Sequence, residues 1–124
     1  MNTLLQVAAF LALGLGVAHS VLGETYILKP LLARGGLPKL FGGTAFTERT
    51  LRFAWHLTSI AWFGFAALLM LLTQPLMTYR SVALVVAVTF IGSAVYTATV
   101  SRGRHLAWPV MLFIGSVAGY LAYR

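Results

Sequence analysis

The sequence predicts an all-α integral membrane protein: a four-helix bundle with antiparallel neighbours and both termini on the non-cytoplasmic side. Three observations predict it. Of the 124 residues 60% are hydrophobic and only 9% charged, so lipid must cover what the chain cannot bury. The apolar residues come in long runs broken by short basic segments, not in the alternation or amphipathic periodicity of a soluble core. The basic residues, finally, gather at one end of the four runs. Lys29, Arg34, Lys39, Arg49, Arg52, Arg102 and Arg104 fall on one side, with only Arg80 and Arg124 on the other. Short loops rich in Lys and Arg stay in the cytoplasm, which places the long loop there and the termini outside.

A hydrocarbon layer about 30 Å thick needs roughly 20 apolar residues of helix. The chain supplies runs at 3–28, 48–72, 79–100 and 106–123, and one transmembrane domain accounts for its whole length. The first run has no Lys or Arg ahead of it and no small-residue cleavage site, so it reads as part of the fold and not as a signal peptide. The stretch 29–47 holds Pro30, Gly35, Gly36, Pro38, Gly42 and Gly43 and reads as a basic loop on lipid headgroups. Thr47 is a candidate N-cap for the second helix, with Glu48 in its first turn where the helix dipole favours a carboxylate. The remaining connections, 73–78 and 101–105, are short and make neighbouring helices antiparallel. Pro109 falls in the first turn of the last helix, where a missing N–H costs little.

Candidate functional residues are the polar groups that these runs carry. His19 and Glu24 lie late in the first run, Arg52 and His56 early in the second, so antiparallel packing brings them to one depth in the cytoplasmic leaflet. Ionisable residues inside spans are costly and mark ion or proton routes. On helix 2, Arg49, Arg52, His56, Phe63 and Ala67 fall within about 40° of one line at 100° per residue. On helix 1, His19 and Glu24 lie about 140° apart, so an undistorted helix does not aim both at one ligand. Glu24 shares its face with Ser20; His19 shares its own with Ala12, Gly23 and Tyr26. Ala12, Gly16, Ser20 and Gly23 permit close helix approach, which predicts a first helix packed on two sides, with Glu24 and His19 meeting different neighbours. Thr89, Ser93, Thr97 and Ser101 recur every four residues on helix 3 beside Tyr96. Such hydroxyls either satisfy their own helix or line a path. His105 reads first as a solvated interfacial residue, and Trp55, Trp62 and Trp108 as packing residues or interface anchors.

Three functional classes follow. The first binds or moves a small ion or ligand at His19, Glu24, Arg52 and His56, with Ser20, Arg49, Ser93, Tyr96 and Thr97 in support. Four short helices enclose little of a pathway, so this class requires a homo-oligomer or a larger membrane complex. The second is a haem b or metal protein with His19 and His56 as ligands from antiparallel helices, a geometry helical bundles provide. The third is a structural or assembly subunit whose polar residues tie helices together. Nucleic-acid binding is disfavoured because the basic residues flank spans and form no basic face. The chain has no cysteine, hence no disulfide and no thiolate site. It also has no Asp, no paired carboxylates and no phosphate-loop spacing, so the sequence carries no signature of an enzyme.

The segments "AHSVLGE" and "FTERTLRFAWHLTSIAWFGFAALL" resemble those of a group of small bacterial inner-membrane proteins. That group combines His-Ser-x-x-Gly-Glu in the first span with Arg-Phe-x-Trp-His-Leu-Thr in the second. The resemblance implies a four-helix membrane architecture and one functional region formed by His19, Glu24, Arg52 and His56. It implies no particular reaction, substrate or cofactor.

Overall fold

The computed structural model describes residues 2–124. The described residues are all-helical, in four helices: α1 (Thr3–Arg34), α2 (Ala45–Leu71), α3 (Tyr79–Val100) and α4 (Ala107–Tyr123). The first three are long and apolar enough to cross a membrane, and α4 is a shorter apolar helix.

The first helix does not stop at residue 28. It continues to Arg34 through a π turn over Glu24–Leu28, in which the Lys29 amide reaches back to the Glu24 carbonyl. Pro30 explains the turn. A proline inside a helix removes one amide donor and crowds the carbonyl four residues earlier, and a locally widened turn relieves both. The loop is correspondingly shorter than 29–47. It opens at Gly35 and Gly36, whose φ values of 73° and 76° only glycine adopts cheaply. The second helix starts earlier than predicted, at Ala45, and Thr44, not Thr47, stands at its boundary. The Thr44 hydroxyl donates to Glu48 Oε1 at 2.7 Å, while the Thr47 hydroxyl donates to the Pro38 carbonyl at 2.8 Å and ties the loop to the helix. A capping box between Thr78 and Ser81 starts α3, and Pro109 sits in the first turn of α4 as expected.

Each helix packs on the next in the chain: α1 on α2, α2 on α3, α3 on α4. The expectation that Glu24 and His19 meet different neighbours is corrected, because within the chain both meet α2, on which Gly16, Ser20 and Gly23 also pack. The interior is built of small side chains such as Ala9, Ala66, Ala87 and Ala94, while Phe10, Phe65 and Phe113 point outward. Small residues let helix backbones approach closely. One end of the row carries the loop and the turn between α3 and α4. There the His105 ring stacks on Phe46 at 5.8 Å and meets Phe53 edge-on at 4.8 Å. His105 is thus a packing residue between the turn and α2, not a free interfacial one. At the other end Arg80 lies 4.9 Å from the Tyr123 ring and Arg124 lies 5.9 Å from that of Tyr120.

Candidate functional site

The α1–α2 seam positions the site. Gly16 meets the Phe63 ring and Gly23 meets the Trp55 indole so closely that a Cβ at either position would overlap the aromatic side chain. Ser20, between them, donates to Ser59 at 2.7 Å. Gly16, Ser20 and Gly23 thus form the contact line of α1, and His19 and Glu24 flank it on opposite sides. That resolves the angular problem of the sequence. Residues about 140° apart on one helix cannot face one ligand, but they do grip one neighbouring helix from its two edges.

On one edge, the Glu24 carboxylate is held three times. Arg52 Nη2 approaches Oε1 at 3.0 Å, Arg52 Nε donates to Oε2 at 3.3 Å, and His56 Nε2 lies 3.0 Å from Oε2. This is a forked guanidinium–carboxylate pair with a histidine added. The other ring nitrogen, His56 Nδ1, lies 2.9 Å from Ser20 Oγ, which extends the network to Ser59, only 1% exposed. Side-chain exposure grades from 40% at Arg52 through 24% at Glu24 to 17% at His56. The cluster therefore opens at the Arg52 end and closes at Ser59. From α3 the Tyr96 ring stands edge-on to His56 at 6.1 Å.

On the other edge, His19 belongs to a separate arrangement. Its ring stacks on Trp55 at 4.6 Å and meets Trp62 at 4.9 Å. Its Nε2 donates to the Trp55 carbonyl at 3.2 Å, and the Trp55 indole N–H donates back to the His19 carbonyl at 3.0 Å. The two residues lock α1 to α2 reciprocally.

Of the residues singled out from sequence, Glu24, Arg52, His56 and Ser20 come together with Tyr96 beside them, and His19 stands apart. The Arg49 guanidinium enters no ion pair among the described residues. Ser93 donates to its own helix, to Thr89 O at 2.7 Å, and the buried Thr97 hydroxyl points at Met111 Sδ at 3.9 Å. Sequence reasoning missed Ser59, although it lies seven residues after Arg52 and so on the same helix stripe. The arrangement does not fit a bis-histidine haem, since both Nε2 atoms are committed, one to the Trp55 carbonyl and one to Glu24. Among the described residues no three His, Cys, Asp or Glu side chains converge as a metal site would require.

No protein-family model, curated protein or solved structure matches the chain.

Proposed function

We propose that the chain is an integral protein of the bacterial inner membrane, crossing it four times with both termini outside the cytoplasm. It binds or moves a small ion or ligand at the Glu24–Arg52–His56 site in the cytoplasmic leaflet. One observation carries the reading: a carboxylate, a guanidinium and an imidazole meet between two strongly apolar helices, with the Arg52 end open. Ionisable groups at such depth are costly and are retained where they do chemistry. The orientation rests on the uneven distribution of Lys and Arg, seven at the loop end and two at the other. A homo-oligomer or a larger membrane complex completes the assembly, because four short helices enclose little of a pathway.

The scaffold reading has its own support, since every charged group of the cluster already has a partner. Liposomes carrying the purified protein separate the two. Flux of H⁺, Na⁺, K⁺ and Cl⁻, each followed with its own reporter dye, is compared with that in protein-free liposomes. The transport reading expects a protein-dependent flux of one of these ions that drops to the background leak in Glu24→Gln while helix content is retained. Leaks equal to background in wild type, with Glu24→Gln losing only thermal stability, would leave the scaffold.

A further inference from the structure

The hydrogen-bonded line from Glu24 to Ser59 is continuous. Oε2 to Nε2 is 3.0 Å, Nδ1 to Ser20 Oγ is 2.9 Å, and Ser20 Oγ to Ser59 Oγ is 2.7 Å. Every link is within ordinary hydrogen-bond reach, so the protons on the line can be counted. An ionised carboxylate only accepts, each serine hydroxyl carries one proton, and imidazole carries one N–H when neutral and two when protonated.

With Ser20 donating to Ser59, the one Ser20 proton is spent and His56 Nδ1 must be the donor to Ser20. Nε2 faces the carboxylate and donates as well, so this arrangement corresponds to the imidazolium. Remove one proton from Nδ1 and every link of the line can be made again without any heavy atom moving. Nε2–H still donates to Glu24, Nδ1 accepts from Ser20, and the Ser59 hydroxyl rotates to donate to Ser20. A line whose every link is made in two proton arrangements differing by a single proton is suited to take up and give back that proton. The charges facing His56 fit the same task. Glu24 comes from α1, Arg52 from the preceding turn of α2, and the aromatic edge of Tyr96 from α3. The Glu24 carboxylate is shared: the cluster is neutral with a neutral ring and carries one positive charge with the imidazolium, which Glu24 faces together with Arg52.

We infer that the ion this site takes is the proton, held on His56 Nδ1, with Glu24 as counter-ion and the Ser20–Ser59 pair as the element that reverses direction. The step is a simple acid–base exchange: hydronium gives up one proton to Nδ1 and leaves as water, and the reverse releases it. The inference rests on the ion-binding reading above and narrows it to one ion.

Nitrogen-15 NMR of the histidine-labelled protein in bilayers tests it, with the His56 signal assigned by its loss in His56→Gln. On acidification, wild-type His56 Nδ1 is expected to change from an acceptor nitrogen to an N–H nitrogen. In Glu24→Gln the ring is expected to stay neutral over the same range. Ser93→Ala, whose hydroxyl lies outside the line, should behave as wild type. A His56 ring that keeps one protonation state throughout, or that titrates identically in Glu24→Gln, overturns the inference. If the liposome experiment then shows a Glu24-dependent flux of Na⁺, K⁺ or Cl⁻, the ion-binding reading stands without the proton. With no such flux for any ion, both fall.

Discussion

The α1–α2 seam and the α3–α4 seam are built from the same small residues, yet they hold their helices together in different ways. Between α3 and α4 a glycine lets backbone meet backbone: a Cβ on Gly115 would come within 2.9 Å of the Ile91 amide nitrogen and 3.0 Å of the Ala87 carbonyl. Two hydroxyls of α3 are spent within the helix, Thr89 on Val85 O and Ser93 on Thr89 O, and that of Thr97 crosses only to the weak acceptor Met111 Sδ. Between α1 and α2 the glycines admit aromatic side chains, and the hydroxyls of Ser20 and Ser59 bond across the seam to each other and to His56. One seam is a packing joint. The other is a packing joint with a polar circuit laid through it.

Forcing the seams apart separates the two kinds of joint. Gly115→Leu places a side chain against main-chain atoms that cannot turn aside, and overpacking of this kind costs about 3 kcal/mol. Thermal unfolding in mild detergent should show a fall in Tm larger than that of Glu24→Gln or Ser59→Ala, with flux and stability lost together. A Tm close to wild type would mean that α3 and α4 are not held at the spacing described.

Glu24→Gln comes next and acts on the other seam. It removes the carboxylate charge and one of the two acceptor oxygens that Arg52 and His56 engage. Unpairing a hydrogen-bonded charge costs about 1.5–3 kcal/mol when the group is desolvated, but Arg52 is 40% exposed, so about 1 kcal/mol is the expected loss. Function and stability should therefore separate here as they do not at Gly115: flux at background, Tm only modestly lower. An equal fall in both would reduce the cluster to a tie between helices.

Ser59→Ala against Ser93→Ala then isolates the role of the hydroxyls. Ser59 is buried and is the far partner of Ser20, so its loss should cost about 1 kcal/mol. Ser93 satisfies a carbonyl that already accepts within its own helix, so its loss should be within about 0.5 kcal/mol of neutral. Equal changes in Tm would erase the distinction between the two seams.

Which of these features the sequence reveals follows from their range. The helices are legible because hydropathy over some 20 residues is a local property, and the common depth of Glu24, Arg52 and His56 follows from antiparallel order. The π turn was not read from Pro30, since the same proline, followed by glycines, equally announces a loop. His19 and His56 were brought together by depth alone. What separates them is the identity of the contact line, and Gly16 and Gly23 define it only once Phe63 and Trp55 are known to occupy the space they leave. Ser59 was missed because a serine in an apolar helix has no chemical signature until its partner is in view.

The smallest expected effect makes the same point in reverse. Gly14 lies on α1 only two residues before Gly16, yet nothing stands within 4 Å of where its Cβ would be, whereas a Cβ on Gly16 would come 2.5 Å from the Phe63 ring. Alanine at position 14 gains helix propensity of up to about 1 kcal/mol and meets no obstacle. At position 16 it must displace a ring lodged in the seam, and the gain is reversed. Gly14→Ala should therefore leave Tm unchanged or slightly raised, and Gly16→Ala should lower it. Should Gly14→Ala instead destabilise the purified protein, a second chain must pack over that glycine, and the open face of α1 would be the interface of the homo-oligomer. The sign of this one small shift thus reports whether α1 has a neighbour besides α2.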